Sequence, residues 1–171
     1  VLRVVEQRLA LFLPVAGILA AAPFLTGFVT SVFGPIYEAI GADASMAATT
    51  IIAVDMGGYQ LADAIAATRE SWIMAMMTGY MAGATIVFSI PVALKMLKKE
   101  DRKYLALGVM SGMLTIPVGV FISCVIIALT DPMVREVVNT GGAGTYQLAL
   151  TFGLIFRNLV PLIIFCVAIA I

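Results

Sequence analysis

The chain contains no histidine, only two cysteines and few charges: 12% of its 171 residues are charged, with ten acids balanced by ten bases. Without histidine there is no Ser-His couple, no HExxH zinc helix and no imidazole-based metal site. Cys124 and Cys166 both lie in apolar runs, where a thiol acts as a small buried hydrophobe rather than a redox or metal group. Zero net charge gives no electrostatic footprint for nucleic acid or another polyanion. Charge this scarce also excludes an ordinary soluble domain, in which about 25% of residues are charged. An intramembrane aspartyl protease would need two facing acids, and only Asp55 lies deep in an apolar run. The chain therefore reads as no enzyme, with no cofactor and no metal ligand set.

What is present is apolar surface, at 62% of residues. Residues 71–94 form an uncharged run of 24, residues 104–130 one of 27 and residues 9–31 one of 23. Each exceeds the ~20 residues that cross a hydrocarbon core. Residues 146–171 are interrupted only by Arg157. The expected fold class is all-α, a polytopic helical membrane protein, with hydrophobic segments at about 9–32, 46–65, 71–94, 104–130 and 146–171. The first run is too long for a signal-peptide core and carries Pro14 and Pro23. Opening on Val1 and stopping at Ile171 inside an apolar stretch, 1–171 reads as one integral membrane domain, partial in extent.

Loop charges orient these segments. The linker 95–103 holds five of the ten basic residues, which places it in the cytoplasm by the positive-inside rule. If 46–65 crosses the bilayer, Arg3, Arg8, Arg69 and Arg135 fall outside, a split of five to four. If it is re-entrant, Arg3 and Arg8 move inside and the split becomes seven to two. Counting favours a broken or re-entrant helix around Asp55-Met56-Gly57-Gly58. An unpaired carboxylate costs roughly 3 kcal/mol at the centre of a membrane helix. Two glycines weaken the helix there by about 1 kcal/mol each. A break facing the protein interior gives both a purpose, since half-helices expose backbone groups that bind polar ligands. Asp43 or Ser45 is positioned to cap the first piece, and Tyr59 begins the second.

The expected substrate-binding residues are Asp55, Gly57, Gly58, Tyr59, Thr50 and Ser89. Asp55 reads as a counter-ion for a cationic substrate or a site for a coupling proton or sodium, against a cap for the following helix or an ion pair with Arg157. Thr50 and Ser89 offer hydroxyls, as do Thr49 and Thr85, while Tyr59, Trp72 and Tyr80 offer ring faces. Trp72 reads more simply as an interfacial anchor. Arg157 is either a mid-membrane charge or a side chain snorkelling at the interface. Gly79-x-x-x-Gly83 and Gly108-x-x-x-Gly112 suit close helix packing, and Met74, Met76, Met77 and Met81 read as packing filler. Ser89 and Thr115 each precede a helix proline by two residues, where a hydroxyl can re-satisfy a freed carbonyl.

Several strings resemble one family. Gly41-Ala42-Asp43-x-Ser45-Met46, Asp55-Met56-Gly57-Gly58 and Leu61-Ala62 are similar to the bacterial ethanolamine-utilisation membrane proteins of the EutH type. So are Thr85-Ile86-Val87-Phe88-Ser89-Ile90-Pro91-Val92-Ala93-Leu94, Asp101-Arg102-x-Tyr104-Leu105-Ala106-Leu107-Gly108-Val109 and Thr115-Ile116-Pro117, with a looser echo at Asn158-x-x-Pro161. The resemblance implies a permease carrying ethanolamine across the bacterial cytoplasmic (inner) membrane for its catabolism, and a chain that is an internal fragment. Expected partners are ethanolamine or a similar small amine, the lipid bilayer, a coupling proton or sodium, and a second copy in a homo-oligomer, with no nucleic acid. The competing readings are a channel for small amines or cations, and a membrane scaffold or sensor recruiting catabolic enzymes through 95–103.

Overall fold

The protein was analysed as a computed structural model that describes residues 16–17, 20–21, 24, 27–29, 31–135 and 144–171. Most of the expected segment 9–32, with Arg3 and Arg8, lies outside the described residues. From residue 34 the described residues are helical apart from short connections and one small ribbon. A short helix α1 (Gly34–Ile40) has Pro35 in its first turn and ends at Gly41, whose φ of 76° closes the helix in a left-handed cap. Helices α2 (Ser45–Ile51) and α3 (Gly58–Ile65) follow, separated by extended residues at 52 and 53 and a tight turn at Val54–Met56. Gly57, with φ of 99°, makes the corner into α3, a conformation that costs glycine nothing.

The expected break is therefore present, and its geometry is that of a hairpin. Oδ1 of Asp43, just before α2, accepts from the Ser45 N–H at 2.9 Å and the Ser45 hydroxyl at 2.6 Å. Oδ2 accepts from the Ala67 N–H, just after α3, at 3.1 Å. One carboxylate thus caps the entry helix and binds the exit strand of chain, so 43–67 leaves and returns at the same end. Seven- and eight-residue helices reach about 10–12 Å before turning back. Asp43 is the capping residue, one position further from the helix than a usual N-cap.

Helix α4 (Arg69–Thr78) begins with Thr68, whose hydroxyl accepts from the Ser71 N–H, and with Glu70 in its first turn. It runs on through two wide π-helical stretches, Gly79–Gly83 and Thr85–Ser89, into α5 (Ile90–Met96). The single turn Lys99–Asp101 leads to α6 (Arg102–Thr130), about 43 Å long and able to cross a bilayer. Strands β1 (Met133–Arg135) and β2 (Thr145–Gln147) pair antiparallel, Val134 opposite Tyr146. The last helix, α7 (Phe152–Ala170), is also long and apolar enough to span. The apolar stretch from 146 thus opens with strand and loop, and its helix starts six residues later.

The first helix of the hairpin is buried along nearly its whole length. Ser45, Met46, Ala47, Ala48, Thr49 and Thr50 are all buried, packed against α3, α4 and the first π stretch, with Met74, Leu61 and Ile155 fully enclosed beside them. Helices α6 and α7 pack side by side through Met113, Val120, Leu162 and the unpaired, buried Cys124 and Cys166. Met74 and Met81 are packing residues as read: Met74 is fully enclosed and the Met81 sulfur lies over Gly119. The two proline-hydroxyl pairs behave otherwise. Thr115 donates to Gly112 at 2.7 Å rather than to residue 113, whose carbonyl Pro117 frees. Pro91 sits at the second position of α5, where the wide helix narrows again.

The two GxxxG motifs also part company. A Cβ on Gly83 would lie 2.8 Å from the carbonyl oxygens of Thr49 and Ile52, and one on Gly79 2.6 Å from the Val54 side chain. One on Gly58 would lie 2.5 Å from the Ile52 oxygen. Gly108 and Gly112 meet nothing within 4 Å. The first motif seats the hairpin tip; the second packs on nothing among the described residues. Gly83→Ala and Gly58→Ala are each expected to destabilise the protein by about 1–3 kcal/mol through overpacking. Gly112→Ala should be neutral or slightly stabilising. Thermal unfolding in detergent distinguishes them, and equal melting temperatures for all three would contradict this packing.

Candidate functional site

Three glycines and one carboxylate make the hairpin tip. The chain from Thr49 to Gly58 turns on Gly57, setting its backbone on Gly83 and its Thr49 and Val54 side chains on Gly79, which lie fourteen and ten residues beyond Arg69 in the long helical run. That is about 15–21 Å along the helix, near the middle of a ~30 Å hydrocarbon core. The tip is where α2 ends and α3 begins, so the carbonyl end of one short dipole and the amide end of another meet there. The wide turn Gly79–Gly83 lies directly behind, and π turns are frequent at functional sites.

Asp55 sits in the tip turn and its side chain is exposed. Among the described residues it has no hydrogen-bond or ion-pair partner. Both structural explanations for it therefore fail on geometry. The residue capping α3 is Gly57, and no side chain caps that helix. Arg157 lies at the other end of the hairpin, its stem across Gly41, where a Cβ would lie 2.9 Å from its Cδ. This also locates Arg157 beside the α1–α2 connection, in the second turn of α7, rather than level with the tip.

Of the other expected site residues, Gly57, Gly58 and Tyr59 adjoin Asp55 along the chain, whereas Thr50 and Ser89 are not brought to it by any contact among the described residues. Gly57 and Gly58 are buried and shape the corner. Thr50 is buried and donates to the Met46 carbonyl at 2.6 Å, which commits its hydroxyl to its own helix. Tyr59 is half-buried: its ring meets Trp72 edge-on at 5.2 Å and its carbonyl accepts from the Trp72 indole at 3.4 Å. Ser89 is exposed and reaches Ala84 of its own helix at 3.5 Å. Trp72 is buried, with the Arg69 guanidinium 5.3 Å from its ring, so it braces α3 against α4 instead of anchoring at an interface. Arg69 also pairs with Asp63.

The foot of the hairpin holds features that the sequence did not reveal. Asn158, fully buried on α7, accepts from the Asp43 N–H at 2.7 Å and turns its amide toward the Met74 sulfur at 3.6 Å. Asp43 is thus held by α7 while it holds both hairpin strands. Next to it opens a cavity of about 440 Å³ lined by Glu38, Asp43, Thr68, Ser71 and Arg157. A second cavity of about 330 Å³, between α6 and α7, is lined by apolar side chains from Leu114 to Val167. Glu70, buried outside the uncharged run 71–94, accepts from the Tyr146 hydroxyl at 2.9 Å and the Ala149 N–H at 3.0 Å. The sequence signals for this network were the capping role of Asp43 or Ser45, the Gly41-Ala42-Asp43-x-Ser45 string and the looser Asn158-x-x-Pro161 echo.

A buried helical hairpin with an acid at its tip that has no partner among the described residues, beside helices long enough to span a bilayer, is the architecture of a helical integral membrane protein. A family model described as "EutH: Ethanolamine utilisation protein, EutH" matches residues 7–171, and the chain belongs to that family. It is 42% identical over 156 residues to a protein of Listeria monocytogenes named "Probable ethanolamine permease EutH", covering 91% of this chain and 36% of that one. Proteins of the same name from Salmonella typhimurium and Escherichia coli are 39% and 40% identical over 163 residues, covering 94% of this chain and 38% of each. The chain thus spans little more than a third of the length of these relatives. No solved structure matches it.

Two predictions follow from the hairpin foot. Asp43→Ala should lower stability by about 1.5–3 kcal/mol, because it frees amides at both strands at once, and Asn158→Leu should weaken the same junction from the α7 side. Denaturant melts of the two single variants and the double variant should show clear non-additivity; simple additivity would mean that the residues act separately. The second concerns pH. Burial raises the Glu70 carboxyl, but the Ala149 amide and the Tyr146 hydroxyl outweigh it, and its pKa falls below the ordinary value of 4.5. A depressed carboxyl stabilises the folded state above its unfolded pKa and loses that contribution as pH falls through the folded value. The stability gap between wild type and Glu70→Gln should therefore be full at neutral pH and close in acid below 4.5.

Proposed function

We propose that this chain forms part of a permease that carries ethanolamine, or a small amine like it, across the bacterial cytoplasmic membrane. In this reading 43–67 is a re-entrant hairpin that enters the bilayer from the face opposite the 95–103 linker. The two ends of the 69–96 run support that arrangement, since the hairpin foot lies near Arg69 and the linker beyond Met96. With the linker cytoplasmic, the foot faces outward and the basic residues divide seven to three, Arg157 joining Arg69 and Arg135 on the outer side.

The observation that carries the reading is the unpartnered Asp55 carboxylate at the hairpin tip. Protonated ethanolamine is one ammonium and one hydroxyl. A carboxylate satisfies the first, and the carbonyl end of α2 supplies acceptors and a favourable dipole for both. The names of the relatives, ethanolamine permeases at about 40% identity, support the cargo. Asp55 also suits a coupling proton or sodium, and Gly57, Gly58, Tyr59, Thr50 and Ser89 remain in the proposal as the shell around it. Gly57 and Gly58 act through their backbone, and Thr50 and Tyr59 by shaping the wall.

Asp55→Asn keeps the shape and removes the charge. In radiolabelled ethanolamine uptake it should weaken apparent affinity about 10- to 100-fold, the loss expected for a charge-assisted hydrogen bond. Affinity and rate equal to wild type would exclude the counter-ion role. Saturation with counter-flow supports a carrier, whereas flux linear in concentration identifies a channel.

A further inference from the structure

The cavity at the hairpin foot lies one helix length from Asp55 and has a different chemistry. Glu38, in the last turn of α1, and Arg157, in the second turn of α7, both line it. They carry opposite charges, yet neither has an ion-pair or hydrogen-bond partner among the described residues. The backbone keeps them apart: Arg157 is seated across Gly41, where any side chain would displace its stem. Asp43, whose oxygens accept three hydrogen bonds, adds a second carboxylate to the side of the cavity where an amine would sit. Thr68 and Ser71 add hydroxyls to the same wall.

We infer that this cavity binds a zwitterion carrying an amine and a phosphate ester, the amine on Glu38 and the phosphate on Arg157. A simple cation would be repelled by Arg157 and a simple anion by Glu38, whereas a molecule with both charges meets each partner. A guanidinium fork matches phosphate oxygens two at a time, which favours phosphate as the anionic half. The position supports it as well. Arg157 follows the exposed Phe152 and Phe156 at the start of a helix able to span a bilayer, the level at which lipid headgroups lie. The same chemistry belongs to a free phosphate ester such as phosphoethanolamine and to the headgroup of phosphatidylethanolamine. The inference does not depend on the role of Asp55.

The intact protein in detergent, titrated calorimetrically with phosphoethanolamine, tests the free ester. Native mass spectrometry after reconstitution with phosphatidylethanolamine or phosphatidylcholine tests the headgroup. Saturable phosphoethanolamine binding, or selective retention of phosphatidylethanolamine, is expected, and Glu38→Gln and Arg157→Gln should each weaken it at least 10-fold. Binding in the first arm identifies a soluble ligand, and retention in the second alone identifies a lipid. Both side chains are exposed, and Arg157→Lys keeps the charge without the fork and should retain only part of the affinity. The proposal is overturned if neither probe binds, if the variants bind like wild type, or if ethanolamine or inorganic phosphate alone binds as tightly as the ester.

Discussion

The carboxylate of Asp43 decides the shape of the central element, and the rest of the structure is arranged around that choice. A 25-residue apolar stretch with a charge and two glycines at its middle has two outcomes, a kinked crossing or a return. Asp43 selects the return by accepting from Ser45 at the entry and from Ala67 at the exit. The bonds to Ser45 are part-buried and the one to Ala67 is exposed, so the clasp acts by joining two strands at one carboxylate. Asn158 then fixes the clasp to α7, so the first and last described helical regions share one buried polar junction.

Closing the foot places the tip. With both strands held at one end, the corner at Gly57 falls against the long 69–96 run, and only a glycine surface lets backbone meet backbone so closely. Gly83 provides that surface, Gly79 makes room for the Thr49 and Val54 side chains, and the helix widens into a π turn at the same point. The consequence is functional: the main-chain groups of the break are buried, while Asp55 alone projects without a partner. A membrane helix seldom carries an unsatisfied acid without use for it. The foot and the tip are thus two polar places joined by two short helices, one built from crossing side-chain bonds and the other from backbone and a single charge.

Much of this was legible beforehand because the signals are local. Long uncharged runs define spanning helices whatever their neighbours, and Asp-Met-Gly-Gly in an apolar segment is costly in any fold. The loop-charge count even favoured re-entry over crossing. Other residues were misjudged because their roles depend on a partner distant in sequence. Trp72 looked like an interfacial anchor until Tyr59 and Arg69 were seen to enclose it. Thr50 offered a hydroxyl that its own helix consumes. The two GxxxG motifs are alike as text, and only one has a backbone lying on it.

By itself the sequence determined that the chain is helical and membrane-embedded, that a helix breaks at Asp55-Met56-Gly57-Gly58, and that a lone acid sits at the break. Those are matters of hydrophobicity, propensity and charge, which are properties of a segment. Tertiary structure alone decided that the break is a hairpin, that Asp55 and Arg157 lie at opposite ends of it, and that Asn158 and Glu38 belong to the polar foot. The hairpin and the place of Asn158 depend on which backbone amide or side chain, up to 115 residues away, completes a hydrogen bond, and the places of Glu38 and Arg157 on how α1 and α7 pack. Pairings of that range are settled by packing geometry, which no local pattern records.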